Sequence, residues 1–161
     1  MELVFKKAGV SDIPVIAQLA DKIWKKHYPS IIPMSQVTYM LDRMYSPASI
    51  KQQMDEGHEF TIVYDGQEAL AYASVSGNAN NYFLHKFYVD TEKHRKGVGR
   101  QLYDHLVSKL AKPGNIELTV NRQNIKAINF YFKIGFTVDR IADFDIGEGY
   151  FMNDFVMTRK L

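Results

Sequence analysis

His94-Arg95-Lys96-Gly97-Val98-Gly99 is the stretch on which the reading of this chain turns. It follows an apolar segment with Leu84, Phe87, Tyr88 and Val89, and it opens a segment with helical spacing, Leu102, Leu106, Val107 and Leu110. A strand that passes through a basic, glycine-containing turn into a helix is a ready-made anion site. The first helical turn has unpaired N–H groups and a partial positive charge, and glycines let the backbone come close to phosphate oxygens. Alone such a turn is common. Further along, Asn124-Ile125-Lys126-Ala127-Ile128-Asn129-Phe130-Tyr131-Phe132-Lys133-Ile134-Gly135-Phe136 supplies a second half, and the pair is specific.

Composition narrows the class. A chain of 161 residues, 46% hydrophobic and 24% charged, reads as one globular domain over residues 1–161 with a single core. Its apolar runs are shorter than a spanning helix needs, and Met1 to Lys7 lacks the apolar segment of a signal peptide, so a cytoplasmic protein without a membrane partner is expected. Cysteine is absent, which excludes disulfides, thiolate zinc sites and a cysteinyl intermediate. A formal net charge of +2 is too small to argue for nucleic acid, and no stacking aromatics are interleaved with the one basic cluster, Lys93 to Arg100. A basic loop on a nearly neutral body points to a small anionic ligand. His58 and His105 have no neighbour at metal-ligand spacing, so no metal is expected.

The pattern along the chain predicts a first strand at 2–7, then a helix from Ser11-Asp12 to about His27, with Ile13, Ile16, Ala17, Ala20, Ile23 and Trp24 on one face. Prolines 29 and 33 break it. A second helix is predicted at 35–45, and Ser46-Pro47 caps a third that ends near Gly57. The period then changes to two. Phe60, Ile62 and Tyr64 alternate, Asp65-Gly66 turns the chain, and Ala69 to Val75 returns. A strand at 82–89, a helix at 97–111, a strand at 116–120 and a helix from Asn124 to Ile134 come next. Gly135 caps that helix, and two strands at 136–143 and 149–158 complete the chain. This order makes an α/β (α+β) fold, a mixed and mostly antiparallel sheet flanked by helices, with both motifs where strands hand over to helices.

These residues resemble the GNAT superfamily of N-acetyltransferases, which move an acetyl group from acetyl-CoA to an amine. The family's phosphate pattern, Gln/Arg-x-x-Gly-x-Gly/Ala after the fourth strand, is matched at Gly97 and Gly99 and departs at His94. The later pattern, Asn-x-x-Ala-x-x-Phe/Leu-Tyr followed by Gly-Phe, is matched by Asn124, Ala127, Phe130, Tyr131, Gly135 and Phe136. The likeness is strong over residues 58–140 and weak over 1–57.

The resemblance implies roles. The turn and first helical residues His94, Arg95, Lys96, Gly97, Val98, Gly99 and Arg100 would hold the CoA diphosphate, mainly through backbone amides. The strand edge at Phe87, Tyr88 and Val89 would pair with the pantetheine arm like an added β-strand. Asn124 and Ala127 would sit against the pantetheine, and Tyr131 would give a proton to the departing thiolate. His85 stands where family members often carry a glutamate that deprotonates the amine, and an imidazole titrates in the right range for that work. With no cysteine for a covalent intermediate, direct transfer in a ternary complex is expected.

Structural alternatives stand beside these roles. Asn124 also suits a helix cap, and the two uses are compatible. Phe130 or Phe132 is expected in the core and Tyr131 in the site. Trp24 continues an apolar helix face and is expected in the core, whereas His27, Tyr28 and Tyr39 would wall an acceptor site. The resemblance implies as acceptor a small amine, such as a polyamine or amino compound, or a peptide amine. The rival of another class is a non-catalytic CoA-binding sensor. The apolar C-terminal strand, Tyr150 to Thr158, is long enough to pair with a second subunit in a homodimer.

Overall fold

The computed structural model describes residues 2–78, 80–93 and 97–161. In chain order its elements are β1 (Leu3–Lys7), α1 (Ile13–His27), α2 (Met34–Tyr45), α3 (Pro47–Asp55), β2 (Glu59–Asp65), β3 (Glu68–Asn78), β4 (Asn81–Val89), α4 (Val98–Ser108), β5 (Asn115–Asn121), α5 (Ile125–Lys133), β6 (Thr137–Gly147) and β7 (Tyr150–Lys160). The strands form one seven-stranded sheet in the order β1-β2-β3-β4-β5-β7-β6. Its β4–β5 pair is parallel, and the β1–β2, β2–β3, β5–β7 and β6–β7 pairs are antiparallel. The mixed, mostly antiparallel sheet with helices read from the sequence is therefore the observed architecture.

The chain divides into two compact units. The first comprises Met1–Ser76 and Lys86–Leu110 and the second Gly77–His85 and Ala111–Leu161, so the division falls within β4. In the first unit, Ile13, Ile16, Leu19, Ala20, Ile23 and Trp24 form the buried stripe of α1, at the three- and four-residue spacing that puts side chains on one face. The helix starts after a 3-10 turn at Val10–Asp12. There Asp12 accepts from the Gly9 N–H at 2.9 Å and from Lys6 at 2.8 Å. Ser46 caps α3 by accepting from the Ser49 N–H at 3.2 Å, with Pro47 in the first turn, where its missing N–H costs nothing.

In the second unit, Ile116, Leu118 and Val120 of β5 are buried, as are Ile128, Tyr131, Ile134 and Phe136 in and after α5. Gly135 has φ +99°, and the Gly135 and Phe136 N–H groups close the helix onto the Phe132 and Tyr131 carbonyls at 3.1 and 2.9 Å. A left-handed residue just past the last turn lets these bonds form, which is why glycine stands there.

Four expectations need correction. The helix at 97–111 is shorter, ending at Ser108, and α3 ends at Asp55 rather than near Gly57. Phe132 is 49% exposed, and the buried aromatics of that stretch are Tyr131 and Phe136. The C-terminal strand is not an edge: β7 lies between β5 and β6, both of which bond to it, and the free edge on that side is β6.

Candidate functional site

Helix α4 begins at Val98, and Gly97 before it is left-handed, with φ +86°. An L-residue avoids that region, so the glycine sets the direction in which the first-turn N–H groups point. Val98, Leu102, Tyr103 and Leu106 are buried and fix the helix against its unit, whereas Gly97 is exposed and Gly99 half-buried. Arg100 pairs with Asp104 at 3.2 Å along the exposed helix surface. His94, Arg95 and Lys96 lie outside the described residues. Phe87, Tyr88 and Val89 form the half-buried end of β4 in the same unit.

The segment just after β4 is anchored to α1. Asp90 is buried and meets Lys22 at 2.8 Å, its Oδ1 accepts from the Glu92 N–H at 3.0 Å, and Glu92 pairs with Lys26. Burial opposes the Asp90 charge, but Lys22 and the Glu92 N–H outweigh it and hold the carboxyl below its ordinary range. These pairs tie Asp90 and Glu92 to α1.

In the second unit, Asn124 and Tyr131 are buried and Ala127 is half-buried. The spacing puts them on one stripe of α5 and its cap. Asn124 caps the helix by accepting from the Ala127 N–H at 3.4 Å. Tyr131 meets Phe130 and Phe136 edge-on, at centroid distances of 5.7 and 5.8 Å. His85, half-buried on β4, packs its ring on Phe83 at 4.7 Å. The described β4–β5 ladder covers Asn81–Phe83 against Asn115–Glu117, and both strands run on past it.

Sequence reasoning passed over two buried ionisable side chains. Lys86 sits 8% exposed on β4, donates to Gln53 Oε1 at 2.7 Å, and lies over the Tyr45 and Phe60 rings at 5.3 and 5.7 Å. Desolvation pushes it down to about 8. Asp154, 2% exposed on β7, is pushed up to about 6 by desolvation against the pull of Thr119 and Arg122. Both were visible as charged residues inside otherwise apolar strand patterns. Trp24 is core, as expected, and its Nε1–H donates to the Tyr72 hydroxyl at 3.2 Å, which donates in turn to Tyr45 at 2.7 Å. Burial raises both phenols well above their ordinary value, so they remain neutral donors. Tyr28 is buried with its hydroxyl 3.2 Å from that of Tyr88, and Tyr39 accepts from Arg43 at 2.7 Å.

The sheet order, the glycine-opened α4 after its fourth strand and the Asn–Tyr stripe of α5 define the acyl-CoA N-acyltransferase class of fold. Comparison with known proteins gives the family. A sequence model of the acetyltransferase (GNAT) domain matches residues 32–144. The chain is 23% identical over 167 residues to the spermidine N(1)-acetyltransferase of Thermoplasma acidophilum, covering 99% of this chain and 98% of that one. Similar solved structures include the PaiA N-acetyltransferase of Thermoplasma acidophilum in complex with coenzyme A, at TM-score 0.81 and 22% identity with full coverage of both chains. An acetyltransferase from Thermus thermophilus superposes at TM-score 0.68 and 17% identity, covering 100% of this chain and 98% of that one. The chain belongs to the GNAT acetyltransferase family. No helix among the described residues is long and apolar enough to cross a membrane.

Proposed function

We propose that this acetyltransferase moves the acetyl group of acetyl-CoA directly to a primary amine, of a polyamine or other small amino compound or of a peptide. The observation that carries the reading is α4, the next helix after β4, whose first turn opens at a left-handed glycine. Backbone N–H groups of Val98, Gly99 and Arg100 take diphosphate oxygens, a use to which a helix N-terminus is suited by its unpaired donors and dipole. The β4 edge at Phe87, Tyr88 and Val89 takes the pantetheine amides, and Asn124 and Ala127 of the second unit are further candidates to contact CoA.

The chemistry follows from residue types. His85 accepts a proton from the acceptor ammonium. The free amine nitrogen bonds to the thioester carbonyl carbon, the C–S bond breaks as Tyr131 protonates the leaving sulfur, and the amide nitrogen gives up its second proton, which restores the phenol. A phenol is suited to that step, because its ordinary pKa of about 10 is near that of an alkyl thiol. The relative named for spermidine acetylation makes polyamines the first acceptors to try.

The test is thiol release from acetyl-CoA against a panel of spermidine, aromatic amines and short peptides. Turnover on at least one, with intersecting double-reciprocal plots, is expected. Parallel plots would point to a covalent intermediate, and binding without turnover on any amine would favour a sensor. Tyr131→Phe is expected to lower kcat by roughly 10²–10³-fold and leave CoA affinity intact. A homodimer is part of the reading, and its contact is the β6 edge, where Val138, Ile141 and Phe144 are exposed at 41%, 62% and 39%. Light scattering at working concentration checks it.

A further inference from the structure

Asp154 is a buried acid that the reaction above leaves unused, and unlike Asp12 and Asp90 it meets no lysine among the described residues. Its neighbours do not neutralise it. Arg122 is close, but its guanidinium donates to Asp143 Oδ1 at 2.8 Å and to the Asp154 backbone carbonyl at 3.0 Å. Thr119 hydrogen-bonds one side of the carboxyl, and among the described residues the buried Oδ2 meets no donor. Burying a carboxylate with one oxygen unpartnered is costly, and an apolar residue in its place would serve the sheet better.

Strand register says what the carboxyl faces. Asp154 is opposite Asn121, and Thr119 is opposite Val156, so Thr119, Asn121, Asp154 and Val156 share one face. Phe83 is in register with Glu117 across the parallel pair, so His85 and Thr119, each two residues on, point to that same face. His85, Thr119 and Asp154 thus stand on three successive strands of the second unit, on one side of its sheet. The other charged groups there are Glu117 and Arg140, which meet each other at 3.5 Å, with Arg122 and Asp143 at the strand end.

We propose that Asp154 is the supporting carboxylate of the base His85, stabilising the imidazolium that forms when the acceptor ammonium gives up its proton. It is a positioning residue, acting through space and through Thr119, and it touches neither substrate nor CoA. The inference rests on the N-acetyltransferase reading for its purpose but not for its test. An anion about 10 Å away in an effective dielectric of about 20 favours the cation by about one pH unit, which sets the scale of the effect to look for. Because Asp154 ionises only above about 6, the support is present at neutral pH and lapses in acid.

Titration of the His85 imidazole by NMR in the free protein tests this without any acceptor. In Asp154→Asn the His85 midpoint is expected to fall by about one pH unit, and Thr119→Val is expected to move it part of the way. An unmoved midpoint in both variants overturns the proposal. Where an amine from the panel turns over, the acidic limb of kcat/KM should shift to lower pH by the same amount in Asp154→Asn. In a His85→Ala background, Asp154→Asn should cost nothing further, whereas an additive loss would contradict the shared role. Absence of turnover on every amine with the NMR shift present would sink the acetyltransfer reading and leave the electrostatic pairing standing.

Discussion

Lys86 and Asp154 are both strand residues, both nearly inaccessible, and both pulled toward their neutral forms by the same loss of water, yet their surroundings differ. Lys86 has an amide oxygen at 2.7 Å and two aromatic faces within 6 Å, each a favourable partner for a cation. Asp154 has a hydroxyl on one oxygen, nothing on the other among the described residues, and an arginine that donates elsewhere. A buried charge whose site is built to hold it is a packing element. One whose site is left half-built marks a place where charge is wanted for something else. The first unit therefore uses its buried ion for structure and the second, on our reading, for chemistry.

Linkage turns that contrast into opposite pH dependences. A lysine depressed from about 10.5 to about 8 binds fewer protons folded than unfolded, so its contribution makes the protein gain stability as pH rises from 8 to 10.5. An aspartate raised from about 4 to about 6 binds more protons folded, so its contribution makes the protein lose stability as pH rises from 4 to 6. At neutrality both are destabilising.

The largest expected effect is therefore Lys86→Met, which should raise stability at pH 7 by about 2–3 kcal/mol and flatten the rise between pH 8 and 10.5, with acetyl-CoA turnover unchanged. Urea denaturation at three pH values measures it. Asp154→Asn should also stabilise at pH 7, by about 1–2 kcal/mol, while moving the rate profile. If it stabilises with no change in rate, the contrast between the two sites disappears. Gln53→Leu is the smallest: it strips Lys86 of its acceptor and should cost about 1 kcal/mol at pH 7. A neutral result would mean that the rings alone hold the ammonium.

How much of this was legible beforehand depends on the range of the interactions. Ser46, Asn124 and Gly135 were readable as caps because a cap depends on residues within one turn. Period alone does not say which side of a short helix meets the core, so the expectation of Phe130 or Phe132 there missed: Phe130 is half-buried and Phe132 exposed, while Ile128 and Tyr131 are buried. The edge strand was misread because β7 inserts between β5 and β6, an order that sequence adjacency does not reveal. Lys86 and Asp154 break the apolar alternation of their strands in plain view, but their meaning depends on Gln53, Tyr45, Phe60 and Thr119, which come from other elements. The donor half of the proposed site is local and was read early; the acceptor half is tertiary.

The central claim is that the turn into α4 grips the diphosphate of coenzyme A, and calorimetry with acetyl-CoA on the wild type and on Gly97→Glu tests it most directly. The glutamate puts a side chain and a negative charge where φ is +86° and phosphate is to lie. The account predicts a saturable heat with the wild type and none with the variant, with both showing the same circular dichroism. No heat from the wild type, or equal affinity in the two folded proteins, would contradict it.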